Sequence, residues 1–260
     1  MAKTLEEFND LIQTADAYKA KILQRRPLTE KQNKDLIEYF RIGSTYASNA
    51  IEGNTLTLSE TKVILEDGIT IGGKSVREHM EAIGHAKAYD YMMDIASHKN
   101  PLILSEEIIK KLHYFFYSTY DETNAGSYRT EDVIITGTEF VPPEWNDVEG
   151  DMKSFVSEMN RIKDTTHPIK WAALLHLRLV TIHPFIDGNG RCARLLMNLA
   201  LVNTGYGVSI IPPVLRSEYM NTLRIAQSEK NDIPFLCLIA ETVIETQRDY
   251  SRLLHIPLNI

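Results

Sequence analysis

Cysteine is nearly missing from this chain. Only Cys192 and Cys237 occur in 260 residues. They are far apart and lack metal-ligand spacing, so neither a disulfide framework nor a zinc cluster is expected, and a reducing cytoplasm fits. Long apolar runs are missing too: the richest, WAALLHLRLV, is short and carries His176 and Arg178, too little to span a bilayer. The opening MAKTLEEFND lacks the basic-then-apolar layout of a signal peptide. Basic residues are in deficit, 28 Lys and Arg against 35 Asp and Glu, which leaves a formal net charge of −7. That balance argues against non-specific attachment to nucleic acid or to an anionic membrane. Repeats, low-complexity tracts and Pro/Gly/Ser-rich linkers are absent as well. The expectation is a single cytoplasmic domain over residues 1–260, with no nucleic-acid and no membrane partner.

What is present is mostly helix signal. Capping boxes stand at Thr57–Glu60 and Ser75–Glu78, each ahead of apolar residues at helical spacing. Ser105 caps a segment that puts Ile108, Leu112 and Phe115 on one face. A helix over about 147–162 aligns Val148, Met152, Phe155, Met159 and Ile162. Pro168 suits the first position of a buried helix through Trp171, Leu174, Leu175 and Leu177. Further helices are expected from Asn189 to Gly205, over 216–229 and over 234–253. One stretch differs: VIITGTEFV holds two β-rich halves around Gly137-Thr138, which predicts a two-residue hairpin closed by Pro142 and Pro143. The fold class is mainly α, a helical bundle with one β-hairpin.

The chemistry concentrates in HPFIDGNGRCARLL, residues 183–196. Gly188-Asn189-Gly190 lies between two helices, where glycines allow a sharp turn and successive N–H groups at a helix N-terminus make an anion site. Arg191 and Arg194 are three residues apart, so both guanidinium groups project to one side. Two such groups beside an amide nest suit a polyphosphate. Asp187 offers a hard oxygen where a phosphate-bound Mg²⁺ would sit. His183, four residues earlier, is placed to take a proton from an incoming hydroxyl. Each residue also has a plainer role open to it: a structural histidine, a simple turn, a helix cap, solvated arginines. Phe185 and Cys192 read as core.

Together, His183, Phe185, Asp187, Gly188, Asn189, Gly190, Arg191 and Arg194 match every fixed position of the signature of the Fic-domain family of protein adenylyltransferases. The segment AGSYRTEDVIITGTEFVPP is similar to that family's run into its β-hairpin flap, and the likeness extends over about 105–245. The resemblance implies transfer of AMP from ATP to a protein hydroxyl, with loss of diphosphate. His183 would be the general base and Asp187 the Mg²⁺ ligand. Gly188, Asn189 and Gly190 would cradle the phosphates, with Arg191 on the β- and Arg194 on the γ-phosphate. Thr136 and Gly137 would sit in the flap against the nucleotide. Tyr219 matches a position that flanks adenine, and Gln227 stands where relatives often carry Asn.

The resemblance also covers SNAIEGN, residues 48–54. Ser48 and Glu52 match the family's inhibitory pattern, on a helix expected over about 36–54. Glu52 would take the place of the γ-phosphate on Arg194 and hold ATP in an unproductive pose. The implied partners are ATP, a protein with an exposed hydroxyl and the chain itself, with Thr45, Tyr46 and Tyr128 as candidates for self-modification. The Leu- and Ile-rich terminal helices make a homodimer reasonable. Other readings stay open: the same scaffold removing AMP or transferring another phosphate-containing group, and a non-catalytic nucleotide-sensing module. A metallohydrolase using His167, His176 and His183 lacks the usual i, i+4 pair with an intervening acid.

Overall fold

The computed structural model describes residues 3–97, 101–136 and 138–257. Ten α-helices form in it: α1 Leu5–Leu23, α2 Glu30–Ile51, α3 Leu58–Asp67, α4 Val76–Ser97, α5 Glu106–Tyr117, α6 Val148–Ile162, α7 Pro168–Ile182, α8 Asn189–Asn203, α9 Arg216–Glu229 and α10 Ile233–Leu253. Both expected capping boxes are made: Thr57 Oγ1 accepts from Glu60 N–H, and Ser75 Oγ from Glu78 N–H, each at 3.2 Å. Two more, Thr4–Glu7 and Thr29–Gln32, start α1 and α2. The helix expected from about residue 36 therefore begins earlier, where Thr29 supplies its cap.

The core is built around α7 and α8, which pack side by side and are wrapped by α4, α5, α6 and α10. Apolar residues cover most of the surface of α7, with Arg178 left exposed, so it needs neighbours on most sides. Pro168 opens α7 as expected, and Trp171 is buried with its indole N–H donated to the Met159 carbonyl at 2.8 Å. On α5 the buried stripe is Ile109, Leu112 and Phe116, one step round from the expected face, while Ile108 and Phe115 are half-buried. Helix α1 lies along α10, and α2 packs against α4 and α3.

The hairpin is a correction. Gly137 lies outside the described residues, and among the described residues of 132–143 no strand pairing forms. β-branched and aromatic residues favour an extended chain, but a two-stranded ribbon needs an apolar face to lean on. Ile134 and Val141 are instead 95% and 79% exposed. The segment is held at its ends by buried Arg129, which donates to the carbonyls of Glu131 and Pro143.

Where α4 crosses α5, Gly84 lets the two backbones meet: an added methyl would collide with the Phe116 carbonyl and Thr119 Oγ1. Helix propensity alone says that Gly84→Ala should stabilise by about 1 kcal/mol. Overpacking of this kind costs about 1–3 kcal/mol, so Gly84→Ala is expected to lower the urea midpoint. A raised midpoint would show that α4 and α5 are free to separate.

Candidate active site

The loop 183–188 between α7 and α8 is locked from three directions. Asn189 closes it like a staple: its Oδ1 accepts from Phe185 N–H and its Nδ2 donates to the Phe185 carbonyl, both at 2.9 Å. Arg129 N–H donates to the Pro184 carbonyl at 2.8 Å, and its Nε to the His183 carbonyl at 2.9 Å. His113 stacks on Phe185 with ring centroids 3.8 Å apart. Its Nδ1 accepts from Gly126 N–H at 2.9 Å, which leaves the proton on Nε2, donated to the Asp187 carbonyl at 3.0 Å. Gly188, at φ 78°, turns the chain into α8, and a side chain there would strike the Phe116 ring.

This frame presents His183 as the αL residue ending α7 (φ 53°). Its Nδ1 faces the Val180 carbonyl at 3.4 Å. Only a protonated Nδ1 can donate there, so Nε2 keeps the lone pair. Burial pushes its pKa below the ordinary value, with Arg129 adding to that and the Val180 carbonyl, Asp187 and Glu52 opposing. The imidazole is therefore neutral at pH 7.

Next come the amides. The first bond of α8 runs from Cys192 N–H to the Gly188 carbonyl at 3.0 Å, so the N–H groups of Asn189, Gly190 and Arg191 have no partner within the helix. Arg191 is nearly fully buried. Its Nη1 lies 3.3 Å from Glu81 and its Nη2 3.7 Å from Asp187, beside the rings of Phe116 and Tyr120. Nε and Nη1 nevertheless make no hydrogen bond. Buried donors without partners are costly, and together with the free amides they fit a phosphate-bearing ligand. Among the described residues no three His, Cys, Asp or Glu side chains gather into a metal site. A magnesium ion that takes most of its oxygens from phosphates and water needs only one or two carboxylates. Asp187, half-exposed at the mouth of the nest, offers one.

Arg194 is buried behind them, and here the most distant part of the sequence enters. Its Nε donates to Ser48 Oγ at 2.9 Å, and its Nη2 to the Ser48 carbonyl at 3.0 Å and to Glu52 Oε1 at 2.6 Å. Burial works against ionised Glu52, but the charge and hydrogen bond of Arg194 outweigh it and hold the carboxyl below its usual range. The carboxylate lies over the first turn of α8, where a methyl on Gly190 would come within 2.5 Å of Oε1.

Tyr219 is placed differently from the expectation. It is fully buried behind Arg194, accepting from Nη1 at 3.2 Å, with its own hydrogen available to His176 Nε2 at 2.9 Å. Gln227 Nε2 is 3.4 Å from Thr181 Oγ1. Thr136 is exposed and away from this cluster's hydrogen bonds, and Gly137 lies outside the described residues. Thr45 is fully buried and bonded to His85, so its hydroxyl is closed to modification, whereas Tyr46 and Tyr128 are half-buried. The three histidines of the metallohydrolase reading stand nine and seven residues apart on or next to α7, about 13 and about 10 Å between neighbours, and cannot share an ion. Sequence reasoning missed Glu81, Arg77 and His113. Glu81 takes Arg77 at 3.2 Å and Asn54 at 3.0 Å besides Arg191; a carboxylate at the start of a capped helix carries no local sign of such partners.

Comparison with known proteins places this arrangement. The Fic/DOC family model matches residues 103–201. A protein adenylyltransferase Fic of Drosophila willistoni is 40% identical over 202 residues, 77% of this chain and 40% of that protein. One of Nematostella vectensis is 39% identical over 203 residues, 77% of this chain and 46% of that protein. The chain thus spans less than half the length of these curated relatives. Among solved structures, Fic-1 (residues 134–508) of C. elegans superposes with a TM-score of 0.83 at 30% identity, over 96% of this chain and 72% of that one.

The His113 clamp gives a pH prediction. Burial lowers its pKa to about 4 from 6.5, so the folded state binds fewer protons than the unfolded one between those values. Its stabilising share is complete above pH 6.5 and is lost as pH falls toward 4, at up to about 1.4 kcal/mol per pH unit. In His113→Phe, which keeps the stack on Phe185, unfolding free energy should be lower at pH 7 and decline less steeply with acid. An unchanged slope would mean that His113 titrates as it does in the unfolded chain.

Proposed function

This chain belongs to the Fic/DOC family, and from that premise we propose that it is a protein adenylyltransferase. It transfers AMP from ATP to a Ser, Thr or Tyr hydroxyl of a protein, itself included, and is restrained by its own Glu52. The observation that carries the reading is the Glu52–Arg194 ion pair at 2.6 Å, set into the same few residues as a neutral imidazole and a free amide nest. The family likeness and the relatives named as protein adenylyltransferases support it.

Each residue then has a task. The N–H groups opening α8 and the Arg191 donors that make no hydrogen bond bind phosphate oxygens. His183 Nε2 accepts the proton of the target hydroxyl while that oxygen bonds to the α-phosphorus. The bond from phosphorus to the bridging oxygen breaks, and diphosphate leaves with the electron pair. Asp187 would hold Mg²⁺, which supplies charge neutralisation on the phosphates. Asn189, Arg129 and His113 keep the loop from moving while this happens, since catalysis by position tolerates little displacement.

Glu52 sits where a terminal phosphate would meet Arg194. A charge-assisted hydrogen bond contributes about 1.5–3 kcal/mol, so the contact restrains transfer by about one to two orders of magnitude. That is strong enough to matter and weak enough to be displaced.

Incubation of the purified protein with labelled ATP and Mg²⁺, read by mass spectrometry for an adenylyl group, tests the activity directly. Glu52→Gly should raise labelling by about 10- to 100-fold and should do nothing in an Arg194→Ala background, because the two act as one unit. A rate within about twofold of the parent, where ~10-fold or more is required, sinks the brake. His183→Ala should remove labelling and leave nucleotide binding intact; retention of more than about a tenth of the rate excludes it as the base. With its pKa pushed below 6.5, the acid limb of the rate profile should lie below that pH.

A further inference from the structure

Two side chains of the first turn of α9 reach the two halves of the Glu52–Arg194 pair. Tyr219 holds Arg194, at 3.2 Å from Nη1. Three residues earlier, Arg216 donates Nε to the carbonyl of Ile51 at 2.7 Å. Ile51 is the last residue of α2 and stands next to Glu52. Residues at i and i+3 share a helix face, so a single rigid turn touches both partners.

The end of α2 has need of such a contact. Its last carbonyls have no donors within the helix, and its last turn holds no basic residue to offset the dipole. A glutamate at this end is itself unfavourable for the helix. On the side of α4 the segment is tied by neutral amides: Asn49 to the Glu81 carbonyl at 3.3 Å, and Asn54 to the Glu78 carbonyl at 3.1 Å and Glu81 Oε2 at 3.0 Å. On the side of α9 it is tied by the charged Arg216, whose field joins the larger ones of Arg194 and Arg191 in favouring ionised Glu52 against the effect of burial.

We infer that Arg216 is a positioning residue of the nucleotide site: by capping Ile51 it fixes the end of α2 so that Glu52 meets the arginine that Tyr219 holds in place. This rests on the reading of Glu52 as a brake and names what aims it. Without Arg216 the last turn of α2 frays, the carboxylate leaves Arg194 more often, and transfer rises instead of falling. Arg216 is exposed, so its replacement opens no cavity, and damage to the fold would lower the rate, not raise it.

The test pairs a structural with a functional readout. Hydrogen exchange is followed at the amides of Glu52, Gly53 and Asn54, which bond to the carbonyls of Asn49 and Ala50 at 3.0–3.1 Å. Arg216→Gln should speed their exchange by about tenfold, the loss expected for one charge-assisted bond, and Arg216→Lys should restore part of the protection. Labelling with ATP and Mg²⁺ should rise in Arg216→Gln and show no further rise when Glu52→Gly is already present. Unchanged exchange at these amides overturns the inference whatever the labelling does. So does faster exchange with labelling that Glu52→Gly raises and Arg216→Gln does not, or an equal fall in both backgrounds. If Glu52→Gly itself raises nothing, the reading of the brake has failed, and the positioning role falls with it; that control separates the two failures.

Discussion

A guanidinium group taken out of water must have a counter-charge, and Arg194 is the place where this chain meets that constraint. The side chain is buried, and leaving such an ion unpaired costs about 3–5 kcal/mol. Its donors are instead distributed among Ser48 Oγ, the Ser48 carbonyl, the Tyr219 hydroxyl and the Glu52 carboxylate. Three helices are thereby brought to one atom group: α2, α8 and α9. Without a nucleotide the arginine needs an anion, and Glu52 is that anion. On the proposed reading, the brake and the stability of the site are one interaction.

This identity bears on how such a brake is released. An incoming terminal phosphate does not have to overcome the full attraction between Glu52 and Arg194, because it restores the same charge balance as it displaces the carboxylate. What decides the outcome is the difference between two anions on one cation, plus the cost of moving the end of α2. Glu52 is one-third exposed, so the displaced carboxylate has water to move into. A fully buried glutamate would have made the exchange far more costly.

The loop 183–194 was the most legible part of the sequence for a physical reason: its histidine, aspartate, glycines and arginines stand within a dozen residues, so their spacing points to an anion site, to which the family resemblance adds a role for each. The helices capped at Thr57 and Ser75 were legible for a similar reason, since a capping box is satisfied inside one turn, although the boxes at Thr4 and Thr29 went unread. What was not legible depended on distant partners. Val133 to Val141 holds two β-rich halves about a turn signal, yet pairing needs a surface, and Ile134 and Val141 have none. Tyr219 reads as a ring for a base to lie on; its hydroxyl is instead committed to Arg194 and His176. Glu81 lies 110 residues from Arg191, and no local pattern connects them.

The same contrast explains why the site divides into a rigid half and a displaceable half. The loop carrying His183 is closed by Asn189, Arg129 and His113, and each of these has its polar groups satisfied by backbone atoms that have no other use. Nothing a nucleotide brings competes for them. Glu52 and Arg191 are different: one holds an arginine that a phosphate would also hold, and the other keeps two donors without hydrogen-bond partners. If the site takes a nucleotide as proposed, binding would act on the second half and leave the first unmoved. On the proposed reading, a base fixed before the nucleotide arrives, beside a counter-ion that would leave when it does, is the arrangement expected where position is constant and occupancy is the regulated quantity.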